Sequence, residues 1–208
     1  MATVQLIVQI STAAIFLLSG MLSVLLTRKF IANRQKSYMF WSIGLWLFAF
    51  ASMLEILFAS GVYSRVLIDI YLFAVALLVE SLAIGSMQLI RSKGLRLSYY
   101  VFCVATSLFL AYSLFTTQIG NIITTYVVFG ALPIFVVVTS SLITFPAAAI
   151  LVVVAAVSYK RRRSKKMLSI IAGVVIVSAA GTLYIGAFPA FLYYSEFIGI
   201  VLLWFGFL

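Results

Sequence analysis

Apolar residues occur in long runs of about the same length, and short clusters of basic residues interrupt them. The first run covers residues 5–27 and stops at Arg28, Lys29, Arg34 and Lys36. Further runs cover residues 39–61, 66–90, 97–117, 142–159, 167–188 and 189–208. An α-helix needs ~20 residues to cross the hydrocarbon core of a bilayer, so these runs predict an all-α, polytopic transmembrane bundle of seven spans forming one domain over residues 1–208. Pro189 suits the first turn of the last helix, where its missing N–H costs nothing.

The stretch 118–159 admits two divisions: one span with an ordered segment before it, or two spans in tandem. Charge decides between them. Of the 14 basic residues, all but Arg65 fall in three clusters, at 28–36, 91–96 and 160–166. Basic clusters in short loops stay on the cytoplasmic side, and only a single span in 118–159 puts all three there. The fifth span is therefore placed at 142–159. Residues 122–139, rich in β-branched side chains and broken by Gly130 and Pro133, become an external or re-entrant segment whose period settles neither strand nor helix. The amino terminus is expected outside and the carboxyl terminus inside. No charged side chain precedes the first run, which also exceeds signal-peptide length, so it reads as a retained helix.

Composition narrows the chemistry. A chain that is 65% hydrophobic and 9% charged is no water-soluble globule. With no His and one Cys, it offers no zinc site, haem ligand, disulfide or catalytic dyad. No predicted span carries Lys or Arg, which removes a lysine-activated serine and a retinal Schiff base. The single Asp, Asp69, removes a paired-aspartate protease. The expectation is no enzyme, no catalytic residue, no metal and no cofactor. The net charge of +10 lies beside helix ends, where topology and anionic lipid headgroups account for it without nucleic acid. The run Lys160, Arg161, Arg162, Arg163, Lys165 and Lys166 is read as a cytoplasmic basic loop. Arg65 stands four residues before Asp69, the spacing of a surface ion pair on a helix.

Three carboxylates fall inside predicted spans: Glu55, Glu80 and Glu196. An ionised side chain at mid-bilayer costs several kcal/mol, so each is protonated, hydrogen-bonded or in contact with internal water. They are the candidate proton, cation or polar-cavity residues. Counted at ~1.5 Å per residue from the outer boundaries, they lie roughly 9, 20 and 12 Å deep, a possible staircase. The alternative is that each is bonded to a neighbouring helix and fixes register. Ala172, Gly173, Ala179, Ala180 and Gly181 lie in the sixth span, 172 with 179 and 173 with 180 at seven-residue spacing, a small-residue face for close helix packing. Trp41, Trp46, Tyr99, Tyr100, Tyr159 and Trp204 suit interfacial anchoring, and Cys103 reads as a small core residue.

With Phe40, Trp41 and Glu55 in the second span, Gly85 before the exit at Leu89, and the ending Glu196, Gly199, Gly206, Phe207, the chain resembles small, functionally uncharacterised seven-span membrane proteins of bacteria and archaea. The resemblance implies the fold and carries no activity. The function expected is a non-enzymatic subunit or sensor-like module of a prokaryotic cell membrane, with a protein partner or as a homo-oligomer. A small transporter or proton/cation channel using the three glutamates is the alternative, and a quinone-binding accessory subunit of a respiratory complex is another.

Overall fold

A computed structural model describes residues 2–120, 122–124, 127–128, 132–162, 166, 168–170, 172–173, 176 and 189–207. Helix α1 spans Ala2–Asn33, α2 Lys36–Ala59, α3 Arg65–Met87, α4 Lys93–Thr116, α5 Ile134–Arg162 and α6 Pro189–Phe207. Helices α1 to α5 are long and apolar enough to cross a membrane, and α6 contributes a shorter apolar stretch, Tyr194–Phe207. The architecture is an all-α bundle. Most of the sixth predicted span lies outside the described residues, including Ala179, Ala180 and Gly181.

Helix ends overrun the apolar runs because long basic side chains can stay in a helix while their charged heads reach water. Arg28 and Lys29 sit inside α1, Lys36 opens α2, Lys93 and Arg96 begin α4, and Lys160, Arg161 and Arg162 close α5. The basic loop read at 160–166 is corrected accordingly: those three residues and Lys166 are helical. Arg163 and Lys165 lie outside the described residues. Between α1 and α2 the chain reverses through Arg34 and Gln35, with Arg34 in the left-handed region at φ 52°. Serine starts two of the helices. The Ser64 and Ser92 side chains accept hydrogen bonds from the backbone N–H of Leu67 and Leu95, satisfying donors that a helix start leaves open.

Cross-helix contacts fix the directions. Near one end of α1 and α2, Gln9 Nε2 donates to the Ala59 carbonyl at 3.5 Å; nearer the other, Trp46 Nε1 donates to Thr27 Oγ1 at 3.3 Å. Trp41 Nε1 donates to Ser86 Oγ at 3.2 Å, so the start of α2 lies beside the end of α3. Met87, Ile90 and Leu95 share a cavity with Val153 and Val154, which brings the end of α5 to the same place. The described residues of all three basic clusters thus share one end of the bundle. Helix α6 runs parallel to α1: Trp204 Nε1 donates to the Leu18 carbonyl and Lys29 Nζ to the Phe207 carbonyl, both at 2.9 Å.

The opposite end is covered by the segment read as external or re-entrant. Its described part holds a two-residue antiparallel ladder, Ile123–Thr124 with Val127–Val128. Ile122 and Ile123 are buried with Phe58, Ile68, Leu110, Leu114 and Val136. The expected segment extended to residue 139, but α5 begins at Ile134. Pro133 offers a rigid stop just before the helix, and no breaker follows until Pro146, which α5 contains. Within a bundle, a missing N–H of this kind is tolerated because neighbouring helices and side chains satisfy the freed carbonyl.

The outer surface is apolar. Leu97, Val101, Val104, Leu108, Tyr112 and Phe115 are exposed along one stripe of α4, and Leu6, Ile10, Leu17, Met21 and Ile31 along α1. Polar side chains such as Ser19, Ser23, Ser52 and Thr139 are instead fully or almost fully buried, each bonded back to a carbonyl of its own helix. This inverts the usual arrangement of a soluble protein and fits hydrocarbon as the solvent. Between α2 and α3 the helices meet at glycines. A Cβ on Gly44 would lie 2.9 Å from Leu82 Cγ and 3.0 Å from the Leu78 carbonyl, and one on Gly85 would lie 2.7 Å from Trp41 Nε1.

Two outcomes are expected. On a Cys103→Ser background, single cysteines at Lys36, Lys93 and Lys160 all react with an impermeant maleimide from the same face of sealed vesicles; reaction from different faces contradicts the helix directions. Gly44→Val lowers thermal stability in detergent by about 1–3 kcal/mol through overpacking, and an unshifted melting curve contradicts the close approach.

Candidate functional site

Helix α2 carries Glu55 four residues from its Ala59 end, and α3 carries Tyr71 six residues from its Arg65 start. The antiparallel pairing sets the two side by side. Tyr71 OH donates to Glu55 Oε1 at 2.6 Å, and the Tyr71 ring packs edge-on against Phe58 at 5.7 Å. Glu55 is 3% exposed. From α6, Glu196 enters the same region, close enough for its carboxyl group to interact electrostatically with that of Glu55. One oxygen of each, Oε2, is buried with no hydrogen-bond partner among the described residues. Two carboxyl groups 141 positions apart in sequence thus stand within electrostatic range of each other, one of them bonded by a phenol, in the half of the bundle remote from the basic end; they are called the carboxyl pair below.

Glu80 belongs to a second site. Nine residues separate it from Tyr71 on α3, which at 3.6 residues per turn turns it about half a circle away. It faces α4. Ser107 Oγ donates to Glu80 Oε2 at 2.7 Å, Cys103 and Thr106 adjoin the carboxyl group, and Oε1 has no partner among the described residues. Tyr99, next to Cys103, also lines an apolar cavity of about 450 Å³ with Phe102, Met87 and Ile150. The three glutamates therefore form no single staircase: α3 separates a pair from a lone carboxyl group. The fourth acidic residue, Asp69, pairs with Arg65 at 3.8 Å. Arg65 also donates to the Thr117 carbonyl at 3.0 Å, tying α3 to the end of α4.

The other sequence candidates fall outside both sites. A Cβ on Gly173 would lie 3.1 Å from the Gly199 carbonyl and 3.2 Å from Leu202 Cβ, so this glycine packs against α6 beside half-buried Ala172. Ser169 Oγ donates to the Leu202 carbonyl at 2.6 Å in the same contact. Of the aromatic residues read as interfacial anchors, Trp41 and Trp204 spend their N–H on other helices and Tyr99 is buried. Trp46 likewise donates to another helix, at Thr27 of α1, but its side chain is 49% exposed. Sequence reasoning missed Tyr71 and Ser107. Tyr71 was accessible to depth matching, because it stands about as far from its helix end as Glu55. Ser107 was not: it lies fourteen residues into α4, whereas Glu80 lies seven from the end of α3.

No protein family model, curated protein or solved structure matches the chain. No group of three metal-ligating side chains occurs among the described residues. Two carboxyl groups in electrostatic range oppose a double negative charge, so the pair can take up one proton, or a small monovalent cation with help from Tyr71 or internal water.

Tyr71→Phe costs about 0.5–2 kcal/mol of stability, the range of interhelical hydrogen bonds in membranes. Combined with Ser107→Ala, the losses should add to within ~0.5 kcal/mol, because the two sites share no partner. A larger coupling in thermal unfolding would show that they act as one.

Proposed function

We propose that this chain is a non-enzymatic, seven-span protein of a prokaryotic cell membrane, with its amino terminus outside, in which Glu55 and Glu196 take up and release one proton or small monovalent cation. The carboxyl pair carries the reading. Register or packing alone is served by a neutral polar side chain, whereas two like-charged groups placed together in a bundle oppose each other unless a proton or cation lies between them. Tyr71 holds Oε1 of Glu55 and leaves Oε2 for exchange. The positive-inside rule supports placing this end outside, so exchange is with the external solution. Such a module works as a sensor or as an ion-linked subunit of a larger assembly, its cationic end facing the cytoplasm. Glu80, bonded to Ser107 on the far side of α3, is assigned to helix registry in this scheme.

Reconstitution in liposomes tests it. The wild type carries a proton or alkali-cation flux, and Glu55→Gln/Glu196→Gln lowers it by on the order of tenfold or more, while Glu80→Gln retains it. Infrared spectra of the wild type show a protonated-carboxyl band that responds to external pH and is lost in the double variant. Flux and band both unchanged by the double substitution would end the proposal.

A further inference from the structure

At the basic end, remote from the carboxyl pair, a cleft of about 490 Å³ opens between α2, α3, α5 and α6. Its volume lies in the roughly 300–1,000 Å³ range of ligand pockets. The walls are of two kinds. Leu82, Leu151, Val154 and Leu203 form an apolar floor, while Gln35, Ser37 and Ser158 supply hydrogen-bonding groups. An aromatic row closes one side: the Tyr38 and Trp41 rings are 5.7 Å apart, and the Trp41 and Phe207 rings 5.0 Å apart.

Charge around this cleft has one sign. Lys36 is exposed between the lining residues Gln35 and Ser37, and Lys160 is exposed two residues beyond Ser158. Lys29 is held at the cleft wall by its 2.9 Å bond to the Phe207 carbonyl. The chain has only four acidic residues, and none of them lines the cleft. An occupant must therefore offer negative charge at the cationic edge and hydrocarbon to the floor.

We infer that the cleft is a binding site for an anionic phospholipid, with an acyl chain along Leu82, Leu151, Val154 and Leu203 and the phosphate beside Lys36 and Lys160. Free phosphate would leave the floor uncovered. A zwitterionic lipid would bring its own cation to a cationic edge, and a second copy of this chain would set basic end against basic end. Basic pockets between helices on the cytoplasmic side hold anionic lipid headgroups for the same reason. Nothing in this inference depends on the carboxyl pair.

The test places the whole protein in nanodiscs of phosphatidylcholine with a minor fraction of phosphatidylglycerol and counts co-purifying lipid by native mass spectrometry. Phosphatidylglycerol should be retained preferentially. Lys36→Gln/Lys160→Gln should lower that preference by on the order of tenfold, since each surface cation contributes several-fold. Ala155→Phe, which fills the cleft, should abolish retention without changing the charge. A photoreactive acyl chain on phosphatidylglycerol provides a readout on the unaltered protein, with cross-links expected at 82–89 and 151–158. Cross-links confined to the exposed stripe of α4, equal retention of both lipids, or retention unaffected by Ala155→Phe in a folded variant would overturn the site. Displacement of the lipid by inorganic phosphate would reassign it to a soluble phosphate.

Discussion

A carboxyl group enclosed by apolar helices, with no cation beside it, has to be held by hydrogen bonds or neutralised by a proton or an ion. This constraint shapes the interior. Glu55 is bonded by Tyr71, Glu80 by Ser107, and Glu196 lies beside Glu55. Each partner belongs to a different helix, so every carboxyl group also reports how two helices are set against each other. The buried hydroxyl groups of Ser19, Ser52 and Thr139 obey the same rule more cheaply, by returning to carbonyls one turn back. Hydrogen bonds meet the rule incompletely at Glu80 Oε1 and at the Oε2 atoms of Glu55 and Glu196, and the proposed ion exchange uses the last two, where two carboxyl groups face the same region.

Charge is segregated along the bundle. Cations crowd one end, and the carboxyl pair stands in the other half under a cover made by Ile122, Ile123 and the short ladder. Helix α3 is the partition between the two interior sites, presenting Tyr71 to α2 on one side and Glu80 to α4 on the other. Glycines make this arrangement possible, because Gly44 and Gly85 let α2 approach α3 until side chains of one meet backbone of the other. The separation also divides the proposed roles: ion exchange near the covered end, lipid attachment at the cationic end, with α6 touching both through Glu196 and Phe207.

Much of the layout was legible in the runs themselves. Four of the long helices begin and end within a few residues of their apolar runs, and the grouping of the basic clusters at one end follows from antiparallel helices joined by short turns. Where the reading failed, a local cause is visible. The fifth helix starts at Ile134 because β-branched residues 136–138, taken as a sign of an extended segment, pack as readily in a membrane helix. Trp41 and Trp204 looked like interfacial anchors because position along a helix says nothing about which way an indole turns. The glutamates were identifiable as unusual, yet the staircase was wrong, since depth is one coordinate and facing is another.

The sequence by itself determined that hydrocarbon is the solvent, roughly where each described span lies and which end of the bundle is basic, because these depend on the one-dimensional placement of apolar and charged residues. Only the tertiary structure decided that Glu196 comes within electrostatic range of Glu55, that Tyr71 and Ser107 serve different carboxyl groups, and that an uncharged cleft floor lies beneath a cationic edge. Those relations depend on helix rotation and on which helices are neighbours. Both are set by packing among residues far apart in the chain, to which a hydrophobic run carries no pointer.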